Sequence, residues 1–441
     1  MSRRAPPKTN HEPPCPHTWC YRNMCRIAIV HIMPSDQPQE NTEQGVKQQA
    51  HSPTQVATLL ARKLATRERH VSFLLGAGAS RAAGLPDMGQ LKAMITAELR
   101  QVSESGTGTK LTEATSITSP EANVLLRVLS TRDIEEALTW VRKVAALLKD
   151  LDDEVDEIDE TLARTLDKLL STLIMNCIVS AESDIRPFNE FATWMRTTSY
   201  SKPIEVFTLN YDLLLEYALE RQGLAYFDGF MGTYHGRFRA DLVDGVEPSI
   251  TSLLPSFFHR VWKLHGSLSW ARDEDGHIVR YGHLKGGEHV AAIHPSESKY
   301  EDSRRAPFVI LQDRFRRSLF EPETLLITSG YSFGDQHINE ILADAIRARP
   351  RSEFVFMFFG EVPKYAEGLA AQWRNVTLLG PDYGIVGGIK SEWDKDEAHV
   401  APFVIWSNEK FTLGDFAALA TFLARSSPET ASAAVEPEKR A

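Results

Sequence analysis

The chain has 441 residues, 42% hydrophobic and 24% charged, the balance of a globular protein with room for two or three domains or one domain with large insertions. A formal net charge of −10 excludes a strongly basic nucleic-acid binder, so no direct nucleic-acid contact is expected. No apolar run reaches the about 20 residues that span a bilayer, and the Arg- and Pro-rich start lacks a signal-peptide core, so no membrane association is expected.

Residues 1–50 are rich in Pro, Gln, Asn and His and show no periodicity. They read as disordered, or as an upstream extension if translation starts at Met24 or Met33. Cys15, Cys20 and Cys25 lie there with His11 and His17, at a five-residue spacing that is not a zinc pattern. The remaining body holds one thiol, Cys177, and no disulfide framework, which fits a reducing cytoplasm.

A helix is expected over 54–70. It leads into an apolar run, Val71-Ser-Phe-Leu-Leu-Gly-Ala-Gly-Ala-Ser80, that reads as a buried strand ending in a glycine turn. Strand, glycine turn and helix together make a phosphate-binding layout. Gly76, Ala77 and Gly78 allow close backbone approach, and Ser80 caps the helix or donates to phosphate. The dehydrogenase fingerprint is incomplete, because Arg81 stands where its third glycine belongs and Glu98 falls in a helical stretch rather than at a strand end. Gly84 and Pro86 then break the helix early, before Asp87, which suits either a flexible flap that can cover a bound ligand or an ordinary loop.

Residues 85–101 are helical in character, and a Ser/Thr/Gly loop follows near 102–119. A helical insertion is expected over 107–200. Its clearest period is Ile134, Ala137, Leu138, Val141, Val144, Ala145 and Leu148. The acidic stretch 150–160 reads as a solvated face or loop.

Strand signals return at 204–209, 261–265, 324–330, 353–359 and 375–379, with helices at 212–222 and 335–349. This alternation predicts an α/β fold, a Rossmann-like doubly wound and mostly parallel sheet with a helical insertion. Residues 351–425 finish the fold or form an oligomer surface, and 426–441 read as a free tail.

Three further strand ends carry polar residues. Thr208, Asn210 and Asp212 close the second strand. Asn suits a water or a ribose hydroxyl, and Asp suits ribose, a proton, or the cap of the next helix. His265, before Gly266-Ser267, suits proton transfer at neutral pH. Gly330 and Ser332 close a fourth strand, where Asp335 is expected to cap a helix. His337 and Asn339 read as residues that pack against the core or an oligomer partner. Gly384-Ile-Val-Gly-Gly-Ile-Lys-Ser391 imitates a P-loop, but Ile389 replaces its second glycine, so ATP hydrolysis is not expected.

Taken together, these segments resemble the sirtuin family in its bacterial, sirtuin-like branch. Gly76-Ala-Gly78-Ala-Ser80, Gly84-Leu-Pro86-Asp87, Thr208-Leu-Asn210-Tyr-Asp212, His265-Gly266 and Gly330-Tyr-Ser332 stand in the family's order. The resemblance implies an NAD-binding catalytic domain over 51–350, with Asn210, His265 and Asp212 catalytic. It places the dinucleotide on Gly76, Ala77, Gly78, Ser80, Gly84, Pro86, Asp87, Thr208, Gly330 and Ser332. Residues 268–329 contain no Cys, so the family's zinc ribbon is missing and no zinc is expected. Met88-Gly89 also replaces the Phe-Arg of the deacylases. Consumption of NAD⁺ to ADP-ribose and nicotinamide is therefore expected, as in antiphage-defence enzymes. Such an enzyme implies a homo-oligomer, controlled by assembly or by a hexameric helicase-like ATPase; an Argonaute-type protein is the alternative partner. Deacylation, ADP-ribosyl transfer and a catalytically silent NAD or ADP-ribose sensor are the rival readings.

Overall fold

The structure is a computed structural model that describes residues 50–106, 117–151, 153–244, 258–273, 275, 277–282, 306–398, 402 and 404–426. The expectations for the N-terminal segment, its cysteines and the tail lie outside these residues.

Nine strands form the main sheet. They are β1 (Val71–Leu75), β2 (Glu205–Thr208), β3 (Tyr226–Phe227), β6 (His259–Lys263), β9 (Leu325–Ser329), β10 (Glu353–Met357), β11 (Val376–Leu379), β12 (Tyr383–Val386) and β13 (Ile389–Glu392). Their order is β13-β12-β11-β10-β9-β1-β2-β6-β3. From β11 to β3 every pairing is parallel; β12 and β13 add an antiparallel hairpin. A second, antiparallel sheet holds β4 (Phe230–Met231), β5 (His235–Phe238), β7 (Trp270–Arg272) and β8 (Ile278–Tyr281).

The central strands are largely apolar in their interiors because both faces of the sheet are covered. Phe73, Val206, Val261 and Ile327 face one core, with helices α1 (Pro53–Ala65), α7 (Arg186–Thr197), α8 (Leu214–Arg221) and α12 (Phe416–Arg425). Leu74, Phe207, Trp262 and Leu326 face the other, with α9 (Phe308–Phe320), α10 (Gln336–Ala348) and α11 (Lys364–Gln372). This is the doubly wound arrangement. β1 lies between β2 and β9, so the chain reverses its direction of travel across the sheet at β1, the usual place for a ligand crevice.

Four helices make a third core: α3 (Met88–Ser105), α4 (Ser119–Thr131), α5 (Ile134–Leu147) and α6 (Glu160–Ser180). Asp133 opens α5 with a reciprocal cap to Glu136, and its predicted apolar stripe is buried except for the half-buried Ala145. Some boundaries differ from the sequence reading, and the helix expected over 54–70 ends at Ala65. The helix expected from residue 85 starts at Met88, because Gly84 is left-handed (φ +90°) and Asp87 forms a capping box with Gln90. Helix α3 then runs on to Ser105. The P-loop imitation is the β12–β13 hairpin. Gly387 and Gly388 both have positive φ, as a tight two-residue turn requires.

Candidate active site

Short helix α2 (Ala77–Ala82) leaves β1 at Gly76. The Gly76 N–H donates to Ser329 O and the Gly78 N–H to Gly330 O, both at 3.0 Å. A Cβ on Gly76 would lie 2.4 Å from Gly330 O, and one on Gly78 would lie 2.6 Å from Gly330 Cα. The glycines therefore let two backbones touch, the turn after β1 and the turn after β9. Their amides are engaged by protein carbonyls. Ala77 stands exposed at the rim of this turn, as does Ser332 beyond Gly330.

Asn210 reaches the same turn from β2. Its Nδ2 donates to Gly76 O at 2.9 Å and to Ser80 Oγ at 2.7 Å. A carbonyl only accepts, so the amide orientation is fixed, and Asn210 Oδ1 is left as an acceptor with no described partner. Ser80 Oγ donates a hydrogen bond to Asp212 Oδ2 at 2.5 Å, so that hydroxyl is committed within the protein. Asp212 Oδ1 accepts from the Leu214 N–H at 3.0 Å at the start of α8. Thr208 is buried beneath the site, and its Oγ1 accepts the Asn210 N–H at 3.1 Å. Asp87 caps α3 and faces Arg81 at 3.4 Å, while Gly84 is exposed beside the 182–184 segment. The structure thus gathers Gly76, Ser80, Asn210 and Asp212 into one network. Thr208 supports that network, and Asp87 serves a helix start.

The segments after β2 and β6 leave the sheet side by side. Leu264 N–H donates to Thr208 O and Leu268 N–H to Tyr211 O, each at 2.9 Å. Asn210 and His265 fall between these two rungs. Buried Lys263 joins the same turns, donating to Asp212 O and pairing with Glu216 at 3.0 Å. Tyr211 packs against the helical core of α3 to α6. Burial, then the charge of Glu135, pushes its hydroxyl above the ordinary tyrosine range.

His265 Nε2 meets Asp335 Oδ2 at 2.9 Å, with side-chain exposures of 12% and 7%. Asp335 Oδ1 also caps α10, accepting from His337 N at 2.9 Å and Ile338 N at 3.3 Å. The loop before it is held by Tyr331, whose hydroxyl donates to Asn339 Oδ1 at 2.8 Å, and by Asn339 Nδ2, which donates to Phe333 O at 2.8 Å. Phe333 keeps a left-handed backbone (φ +59°), costly by about 1–3 kcal/mol for such a side chain unless its surroundings hold it. Buried Tyr331, Phe356 and Phe358 pack around its ring. Asn339 is thus a packing residue with a second task, shaping the loop that presents Asp335.

Asp335 and Tyr331 were missed as site residues by reading the sequence. The capping reading of Asp335 accounted for one carboxylate oxygen, and nothing local signals the other. The chemical capacity of the site is two directed acceptors at the carboxyl edge, Asn210 Oδ1 and the second nitrogen of His265, each braced from behind by a hydrogen bond. Among the described residues no helix is long and apolar enough to cross a membrane.

Residues 204–378, from β2 into β11, match a family model described as a SIR2-like domain. No curated protein matches the chain in sequence. Among solved structures, one described as the crystal structure of a Sir2 homolog–NAD complex is similar, with 13% identity, a TM-score of 0.33, and coverage of 87% of this chain and 96% of that one. The matched stretch includes the strands β2 and β6 that precede Asn210 and His265, so this part of the chain is similar to a SIR2-like domain.

Proposed function

We propose that this chain binds NAD⁺ across the carboxyl edge of β1, β2, β6 and β9 and hydrolyses it to ADP-ribose and nicotinamide. The observation that carries the reading is the pair of braced acceptors, Asn210 Oδ1 and His265, between the two rungs that join the β2 and β6 segments. The pyrophosphate lies along residues 76–80, with the exposed Ala77 nearest to it. Gly330 and Ser332 face the adenosine side. Gly84, Pro86 and Asp87 border the nicotinamide end, and Asp212 with Ser80 and Thr208 holds Asn210 in place.

The glycosidic bond to nicotinamide joins a sugar carbon to a cationic leaving group, and its rupture passes through an oxocarbenium-like state. Asn210 Oδ1 accepts a hydrogen bond from one O–H of the attacking water and fixes its direction, and that hydrogen stays on the oxygen as the product's hydroxyl. His265 accepts the other as the water oxygen bonds to the anomeric carbon, then gives it to solvent. Nicotinamide departs neutral with the bonding pair. The motif resemblance further supports an effector role in antiphage defence, in an oligomer held in check by a partner such as a hexameric ATPase.

The test is incubation of the purified chain with NAD⁺ at neutral pH, with and without a co-encoded partner, following nicotinamide release. Asn210→Ala and His265→Ala should each lower the rate ~10²-fold or more. Wild-type rates in both variants would sink the scheme. Intact NAD⁺ binding with no release in either condition would favour the sensor reading, and release only with an acylated peptide would favour deacylation.

A further inference from the structure

We infer that Asp335 is the positioning residue that fixes which nitrogen of His265 works as the base. The inference rests on the proposed role of His265 in hydrolysis, but the pairing itself stands on geometry. A carboxylate accepts and does not donate, so His265 Nε2, 2.9 Å from Asp335 Oδ2, carries the proton. In the neutral ring Nδ1 then holds the lone pair, and no described residue hydrogen-bonds it. Nδ1 is the atom that receives the water's proton.

The site is built to hold this arrangement. His265 follows β6 and Asp335 follows β9, with the ends of β1 and β2 between them. A contact across that span needs a rigid mount. Asp335 has one: its Oδ1 is tied to two α10 amides, its carbonyl accepts from Tyr331 Oη at 3.1 Å, and its loop is fastened by Asn339. A carboxylate needed only as a helix cap has no use for a half-buried histidine on its second oxygen. A histidine needed only for packing has no use for a buried carboxylate.

Asp335→Asn separates the two tasks. Asn caps helices about as well as Asp, so its oxygen stays on the α10 amides. Its NH₂ group then faces His265 Nε2 and donates, which forces Nε2 to accept and moves the ring proton to Nδ1. The fold is kept and the base is lost, the logic by which an Asp-to-Asn change disables a Ser–His–Asp triad. Asp335→Ser keeps a cap but offers the ring no fixed partner.

The experiment uses the full chain labelled with ¹⁵N-histidine, with the His265 ring signals assigned by their loss in His265→Ala. Ring ¹⁵N shifts at alkaline pH report which nitrogen holds the proton, without NAD⁺. Wild type should show the Nε2–H form, Asp335→Asn the Nδ1–H form, and Asp335→Ser a mixture, all with native-like melting. Nicotinamide release should fall ~10²-fold or more in Asp335→Asn. An unchanged tautomer in Asp335→Asn overturns the inference, as does a reversed tautomer with undiminished release. Tautomer reversal in a chain whose wild type releases no nicotinamide would uphold the pairing and reject the hydrolase reading.

Discussion

A Cβ added to Gly330 would lie 2.3 Å from the Ala79 nitrogen and 2.6 Å from the Gly78 carbonyl carbon, at a φ of +67°. Gly223 has nearly the same φ, +69°, with nothing within 4 Å of its added Cβ. The two positions separate backbone strain from collision. Gly223→Ala should cost about 1 kcal/mol, the strain alone. Gly330→Ala adds a clash between two backbones that cannot both yield, and should cost about 3 kcal/mol or more. It should also slow nicotinamide release, because the turns that carry Ala77 and Ser332 are pushed apart. Urea melts of both variants check the first point; equal losses would show that the crossing of the two glycine turns is looser than its geometry. The same crossing revises how the glycine motif is understood. Its two glycines accommodate a neighbouring strand end, and the role of their amides is internal.

At the scale of elements, Cys177 reports on the helical layer. It is buried on α6 in the core shared with α3, α4 and α5, and burial pushes its thiol up to about 11. At pH 7 roughly one molecule in 10⁴ then carries the reactive thiolate at this position. The peptide containing Cys177 should stay unmodified by a thiol reagent in the native protein and react fully in denaturant, as mass spectrometry of digests would show. Rapid native labelling would mean that this layer opens readily. Such opening would matter to the site, since Tyr211, between Asn210 and Asp212, packs on that same core. The layer was legible in the sequence because a one-sided helix prints its period. Strands β1, β2, β6, β9, β10 and β11 were legible because burial on both faces makes short, mostly apolar runs. The second sheet was not: β4, β5 and β7 are two to four residues long, and charged or exposed positions such as Met231, Arg237 and Arg272 interrupt any pattern. Helix α9 also went unread. In the site, Asn210, Asp212 and His265 showed themselves as polar residues at the ends of apolar runs. The contact of His265 with Asp335 joins positions 70 residues apart, and no local pattern encodes it.

Across the whole molecule the sheet has two unlike edges. The carboxyl edge holds the candidate active site, and the opposite edge is bound together by a buried anion. Glu205, 2% exposed at the start of β2, accepts from Trp262 Nε1 of β6 at 2.6 Å and Arg314 Nε of α9 at 2.9 Å, and meets His70 Nε2 at 3.0 Å just before β1. Burial alone pushes its carboxyl up, but the Arg314 charge and the His70 and Arg314 hydrogen bonds outweigh it and hold the group well below the usual carboxylate range. A folded-state value below the unfolded one, about 4.3, makes this a source of stability that is complete above pH ~5. It is lost as pH falls below ~4 toward the folded value, at about 1.4 kcal/mol per pH unit where the unfolded chain is protonated and the folded one is not. Glu205→Gln removes the charge and leaves the partly buried Arg314 cation without its carboxylate, which should cost about 3 kcal/mol at pH 7. The variant lacks the acid-dependent loss, so its stability curve should approach that of wild type as pH falls from 5 to 3. Urea midpoints of the two proteins across that range decide the matter. A gap that stays constant would mean that Glu205 contributes through shape and neutral hydrogen bonds, and that its charge is incidental to joining β1, β2, β6 and α9.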